Sequence, residues 1–379
     1  MAAMAPSEER NAAAWSWYEQ MGSPQTVLAP MVECVISFLR RHSALAFRLQ
    51  TRKYGAQLCV TPMVNARSFI TSDHYRAKVM EDISSCPEAD RPLVVQFAGH
   101  DPELLLKAAR YVEDTVDAVD LNLGCPQGIA KKGNYGAFLL EDCDLVVDIL
   151  TKLSANLKCK VTAKIRLFPD MERTLELVDR ICESGVSMLT VHGRTKEMKQ
   201  QFTGKCDWQG IASVVERVRG RIPVVANGGI ETFEDVERCL MATKAQGVMI
   251  SEASLANPAV FRPEPAPSKY AMALEYLDFA KRFPPPAISS VRGHLFKMAH
   301  EFIQTGTPQA RHVRQLLVDG QKMDDFYDAV NLLFTTGQGR IPVSWYNRHR
   351  YTDPTEVAFA DEADAMDDDA PLGGLFDDE

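Results

Sequence analysis

No apolar run in the 379 residues approaches the roughly 20 needed to span a membrane. The opening stretch, MAAMAPSEERNAAAWSWYEQ, carries Glu8 and Glu9 and has no apolar h-region. That argues against a secretory leader and fits poorly with a transit peptide. The nine cysteines never fall as CxxC, so neither a disulfide framework nor a cysteine-rich zinc site is expected. Thiols this scattered suit a reducing, cytoplasmic setting, with the nucleus left open, and most should be buried as small hydrophobes. Residues 351–379 lack Lys and Arg altogether and hold eleven Asp or Glu. Without them 42 basic residues face 40 acidic ones, so the net charge of −9 belongs to the tail and not to the body. Such a tail is expected to be disordered. A near-neutral body can still bind nucleic acid if its positive charge gathers on one face.

Hydrophobic residues make up 46% and charged residues 25%, an ordinary globular balance with ample core material. Eight short apolar, β-branched runs occur in order: 26–31, 57–63, 93–97, 118–124, 161–167, 188–194, 222–229 and 247–253. Segments with helical spacing separate them. DPELLLKAARYVED has the Asp-Pro start of a helix, and MERTLELVDRICESG ends on a glycine stop. Eight alternations predict an α/β fold, a (β/α)8 TIM barrel of about 250 residues. A doubly wound sheet is the alternative, but it would usually carry GxGxxG after its first strand, and none is there. The expected organisation is an N-terminal extension (1–22), the barrel (23–262), a C-terminal α-helical domain (263–350) and the acidic tail (351–379). Arg292, Lys297, Arg311, Arg314, Arg340, Arg348 and Arg350 make the helical region basic. Taken by itself, that charge reads as a solvated helix surface.

Barrels place their sites at the C-terminal ends of the strands. Here those ends collect Gln96, Asn122, Lys164 with Arg166, His192 with Arg194, and Asn227 with Gly228 and Gly229. Any one of these could be a satisfied loop residue, but their recurrence on five of eight strands points to a shared ligand. Glycines after the seventh run suit a phosphate held by backbone N–H groups. Amides such as Gln96 and Asn122 can pair with a ring bearing carbonyl and imide edges, and Lys164 can stabilise negative charge on a reduced ring. Flavin mononucleotide meets all three demands. On residues alone a sugar-phosphate substrate is an equal alternative.

The segments APM (29–31), QFAG (96–99), DLNLGCP (120–126), KKGNYGA (131–137), AKIR (163–166), VHGRT (191–195) and ANGGI (226–230) resemble, in order, those of the tRNA-dihydrouridine synthases. YGAQLCVTPM and LNLGCPQGIAKKGNYGAFLLED are similar to the eukaryotic subfamily acting on uridines 16 and 17 of tRNA. The resemblance implies a flavoenzyme that reduces uridine in the D-loop of tRNA to 5,6-dihydrouridine, with FMN as cofactor and NADPH or NADH as reductant. Hydride would pass to C6, and Cys125 would give a proton to C5 as the catalytic acid. It assigns Ala29, Pro30, Met31, Gln96, Lys164, His192, Asn227, Gly228, Gly229, Ser251 and Glu252 to the cofactor. Asn122, Lys131, Lys132, Arg166 and Arg194 would face the substrate. The helical region would recognise tRNA, and no metal, no membrane and a monomer are expected.

Two departures accompany the resemblance. MVECVISFLRRHSALAFR carries about eight extra residues around Cys34 to Ser43, beside the expected flavin site. Ala253 follows Glu252 where glycine is usual, and alanine resists positive φ. Two other readings stand beside the tRNA enzyme. One is an FMN barrel acting on a free pyrimidine, like dihydroorotate dehydrogenase. The other is an RNA-binding homologue with impaired catalysis.

Overall fold

A computed structural model describes residues 7–31, 44–199, 203–285 and 287–335. The extra residues of the first loop, Arg340, Arg348, Arg350 and the acidic tail lie outside them. Among the described residues there are nine strands: β1 (Thr26–Leu28), β2 (Leu58–Val60), β3 (Val64–Asn65), β4 (Leu93–Ala98), β5 (Ala118–Leu123), β6 (Lys160–Arg166), β7 (Met188–His192), β8 (Val224–Asn227) and β9 (Gly247–Ile250). All pairings are parallel, in the order β2-β1-β9-β8-β7-β6-β5-β4-β3, and β2 also pairs with β4. That last pairing closes β1, β2 and β4–β9 into an eight-stranded barrel. Each of the eight apolar runs carries one barrel strand. The first is shorter than its run, because Ala29 ends the ladder with its N–H on the Ile250 carbonyl (3.0 Å). The two-residue β3, paired to the far end of β4, had no periodicity to reveal it.

Helices wrap the barrel, so its strands are buried on both faces and read as near-continuous apolar runs. The helix Pro102–Val112 starts where Asp101 accepts the N–H groups of Glu103 (2.9 Å) and Leu104 (3.1 Å). It buries Leu105, Leu106, Ala108, Ala109 and Val112 on one face. Asp170 caps Met171–Glu183 in the same way, and Gly185 takes φ +89° just past its end. Phe233–Thr243 opens on a capping box between Thr232 and Asp235.

The extension before β1 contains a helix, Ser7–Gln20. Its Trp15 indole donates to the Gly220 carbonyl (2.7 Å), and the Tyr18 hydroxyl donates to Pro24 (2.8 Å). Both carbonyls precede strands, so the helix covers the barrel end opposite the strand C-termini. Among the described residues beyond 262 there are five helices: Lys269–Arg282, Ile288–Met298, His300–Gln304, Pro308–Asp319 and Met323–Thr335. The first packs on Leu45–Lys53 of the barrel layer, where Gln50 donates to the Met272 carbonyl (2.7 Å). His294 stacks between Phe47 and Tyr276, at ring centroid distances of 4.3 and 4.6 Å. One apolar core runs from Val27 through Phe47 and Tyr276 to Val330 without a break.

Candidate active site

A cavity of about 640 Å³ opens at the C-terminal end of the strands, within the size range of cofactor sites. Its wall takes a contribution from nearly every strand end. Pro30 and Met31 follow β1, Gln96 comes from β4, Asn122 from β5, and Lys164 and Arg166 from β6. His192 ends β7 and Arg194 follows it, Gly228 and Gly229 follow β8, and Ser251 and Glu252 follow β9. Cys125 stands on the same wall, in the loop after β5.

Four expected site residues are placed off that wall. Ala29 is buried in the β1–β9 ladder. Asn227 points its amide at the Met249 carbonyl (2.8 Å) and at the Ser251 hydroxyl (3.1 Å), so it positions Ser251. Lys131 and Lys132 are exposed on the short helix Gly128–Lys132, whose first residue reaches the rim while the lysines face outward. Ala253, where glycine is usual in the resembling family, lies within the helix Glu252–Ala256 and needs no positive φ.

Cys125 is held from three sides. Its N–H donates to the Asn122 side-chain oxygen (3.0 Å), as does that of Gly124 (3.2 Å). Arg166 Nε donates to the Gly124 carbonyl (2.7 Å). The Cys125 carbonyl accepts the N–H of Ala137 (3.0 Å). Gly136 lies against the same residue at φ +64°, where a Cβ would stand 2.6 Å from the Cys125 oxygen. The Tyr-Gly-Ala of the loop is therefore a brace for the thiol-bearing turn, and only glycine fits at its contact point. Lys199 closes the turn from above by donating to the Pro126 carbonyl (3.0 Å). Much of Arg166 is engaged in this frame, since its Nη1 also donates to the carbonyls of Thr195 (2.8 Å) and Met198 (3.2 Å).

Five basic side chains line the cavity, Lys164, Arg166, Arg194, Lys199 and Lys297, against two acidic ones, Glu231 and Glu252. The positive excess shows in the protonation behaviour. Burial, and then the neighbouring Arg166, push the Lys164 ammonium down to about 8. Burial and then Arg194 lower Arg166 to about 10. His192 falls well below the usual imidazole range, through burial and then Arg166, Lys164 and Arg194. It is neutral at physiological pH. Arg194 Nη1 lies 3.1 Å from His192 Nε2. An arginine can only donate, so Nε2 accepts and Nδ1 carries the proton. Gly228 must be glycine, for its φ is +104° and a Cβ would meet Cys206 Sγ and the His192 ring at 2.8 Å.

Sequence reasoning missed Met63, Gln127, Met198, Lys199, Thr203, Glu231 and Met249 on this wall. Most sit in loops without periodicity, and nothing in the chain order marks them. Lys297 was legible as a basic residue of the helical region. Its arrival at the barrel mouth follows from the packing of Ile288–Met298 on Glu252–Ala256. Among the described residues no group of three or more His, Cys, Asp or Glu is placed to hold a metal ion. No helix among them is long and apolar enough to cross a membrane.

A closed parallel barrel whose strand ends converge on one cationic, amide-lined cavity defines a (β/α)8-barrel protein with its candidate site at the C-terminal face. The family can be named more closely. The dihydrouridine synthase (Dus) profile matches residues 27–340, and the chain belongs to that family. It is 44% identical over 288 residues to a mouse protein named tRNA-dihydrouridine(16/17) synthase (NAD(P)(+))-like, covering 76% of this chain and 58% of that one. A Schizosaccharomyces pombe protein named tRNA-dihydrouridine(16/17) synthase (NAD(P)(+)) is 41% identical over 320 residues, covering 82% and 77%. The Saccharomyces cerevisiae protein of the same name is 41% identical over 295 residues, covering 76% and 68%. The chain thus spans about three fifths of the mouse relative's length.

Proposed function

We propose that this chain reduces uridine to 5,6-dihydrouridine in the D-loop of tRNA, at positions 16 and 17, with NADPH or NADH as the reductant. One observation carries the reading: Cys125, braced by Asn122, Arg166 and Gly136, stands on the wall of a cavity whose other side chains suit a redox cofactor.

The residues present fit FMN. The cavity has the volume for a bound cofactor. Gly228 and Gly229, both at positive φ, face the cavity with backbone and no side chain. The cationic wall suits a phosphate and a ring that gains negative charge. Gln96, Lys164, His192, Gly228, Gly229, Ser251 and Glu252 would hold the group, with Pro30 and Met31 against it. Bound there, it would supply hydride chemistry, accepting two electrons from NADPH and delivering them at C6 of the base. The protein's own part is proton delivery and orientation. Cys125 Sγ gives its proton to C5, and solvent restores it. Lys164, cationic below about pH 8, stabilises negative charge. His192, neutral and with Nδ1 protonated, donates a hydrogen bond without adding a charge. Arg194 and the outward Lys131 and Lys132 meet RNA phosphates, as does the basic surface of the helical region. A base in a duplex is out of reach of such a cavity, whereas a loop uridine can be splayed into it.

The test is NADPH-dependent dihydrouridine formation on unmodified tRNA, mapped by position. Wild type should give product at 16 and 17. Cys125→Ala should lose about 10²-fold or more in turnover, the usual worth of a positioned acid, while keeping the flavin spectrum. Product on a free pyrimidine and none on tRNA would move the protein to the rival barrel class. A wild type that binds tRNA and shows no flavin absorbance would make it a binding homologue.

A further inference from the structure

The β4–β5–β6 register sets Gln96, Asp120 and Thr162 side by side as direct cross-strand partners. Asn122 follows Asp120 by two and shares its face of the sheet. All four side chains are buried, Gln96 completely. They form a single directed chain. Thr162 Oγ1 donates to Asp120 Oδ1 (2.6 Å), and Gln96 Nε2 donates to Asp120 Oδ2 (2.8 Å). Asn122 Nδ2 donates to Gln96 Oε1 (2.6 Å). Asn122 Oδ1 then accepts the backbone N–H groups of Gly124 and Cys125.

Each amide has two ends that could be exchanged by a flip, and chemistry at the termini forbids it. Backbone N–H groups at the Cys125 end can only donate, so Asn122 must turn its oxygen to them and its NH2 to Gln96. Gln96 must then present oxygen to Asn122 and NH2 to Asp120. A carboxylate there can only accept, which closes the chain consistently. Reversing either amide would set two donors or two acceptors face to face in a buried place, with the cost of an unmade hydrogen bond.

We propose that Asp120 is a positioning residue. It fixes the orientation of the Gln96 and Asn122 amides, and through them both the seat of Cys125 and the donor and acceptor atoms that the cavity wall offers. The functional part of this inference rests on the reaction proposed above, and the structural part does not. Thr162 holds the far oxygen of the carboxylate and is a secondary anchor. Burial raises the Asp120 pKa to about 6, against the pull of Thr162, Gln96 and Lys164, so the acceptor form prevails at neutral pH.

Asp120→Asn, Asp120→Ala and Thr162→Val separate polarity from packing. Asparagine can accept from Gln96 with its oxygen and donate to the Thr162 hydroxyl with its NH2, keeping the direction of the chain. Alanine offers no acceptor. Should Asp120→Ala not fold, Asp120→Val restores volume without the acceptor and takes its place. Peptide-resolved hydrogen exchange and alkylation of Cys125 are measured on the whole chain, without flavin or RNA. In Asp120→Ala the Gly124 and Cys125 amides should exchange about tenfold faster or more, with β7–β9 unchanged. The Cys125 alkylation rate should change with them. Asp120→Asn and Thr162→Val should stay within about twofold of wild type on both measures. In turnover, Asp120→Ala should lose about 10–100-fold in kcat with little change in KM for tRNA, and Asp120→Asn should recover most of it. Exchange in Asp120→Ala that matches wild type, or rises evenly around the barrel, overturns the proposal. So does a Thr162→Val protein that loosens Cys125 as much as Asp120→Ala does. A wild type with a protected Cys125 turn and no dihydrouridine product would instead reject the reaction and leave the relay standing.

Discussion

At the scale of single residues, the site works through constraint as much as through reactive groups. The Cys125 turn is held by Asn122 and Arg166, and Gly136 is the residue against which it rests. Gly136→Ala would combine a left-handed φ with a Cβ 2.6 Å from a backbone oxygen. Stability should fall by about 1–3 kcal/mol, and turnover should fall further than stability explains, as read by thermal melting beside product formation. Lys164 gives a pH signature. Its pKa is lowered to about 8, so the cation is present below that value and lost above it. Turnover that needs the cation should decline as pH rises through about 8. Lys164→Arg, which keeps its charge, should remove that decline even if its overall rate is lower. A bound anion should move the decline upward, since it favours the charged form. Lys164 and His192 stood out in the chain as polar residues ending apolar runs, and Cys125 through the resemblance of its DLNLGCP segment. Asp120 could not be understood that way, although it stands inside the quoted DLNLGCP motif. Its role depends on which residues of β4 and β6 lie beside it, and register is a tertiary property.

At the scale of elements, the joint between the helix Leu45–Lys53 and its neighbours carries an unusual load. Arg48 is fully buried on Leu45–Lys53, paired to Asp82 (2.9 Å) and Asp90 (2.8 Å). Asp82 also accepts the N–H of Leu45 (2.9 Å), the second described residue after the first loop. The network ties that helix to Asp73–Ser84 and to the turn before β4. Arg48→Met would leave the buried Asp82 carboxylate without its cation and Asp90 with Arg52 alone (3.0 Å), so stability should drop by about 3–5 kcal/mol in chemical denaturation. The simultaneous replacement of Arg48 and Asp82 by apolar residues should cost less, because Asp90 keeps Arg52. Helix positions were legible because caps and apolar spacing are local. The helix Ser7–Gln20 was read only as an extension. Its mixed pattern spreads apolar and polar residues without a clear face, and its anchors, Trp15 to Gly220 and Tyr18 to Pro24, are visible only in three dimensions.

At the scale of the whole molecule, barrel and helical bundle share one core. Phe47, His294 and Tyr276 stack across the boundary, and Lys297 crosses it to reach the cavity. A shared core couples the two parts energetically, so calorimetry should show one cooperative transition for barrel and bundle together. Two separated transitions would contradict that coupling. Tyr276→Ala, which empties the junction, should destabilise by about 3–5 kcal/mol and should lower the barrel's own melting rather than that of the bundle alone.

The order of the strands, the class of fold and the reactive groups at the strand ends were determined by the chain itself. Apolar runs, caps and glycine stops act within a few residues of one another, and a parallel strand that is buried on both faces must be apolar along its length. Tertiary structure alone decided four matters. It turned Lys131 and Lys132 outward, gave Asn227 to Ser251 and not to the cavity, brought Lys297 from the bundle to the barrel mouth, and set Asp120 beside Gln96. Each of these depends on contacts between residues far apart in sequence, and no local pattern of hydrophobicity or turn chemistry encodes which side chain will meet which once the barrel closes.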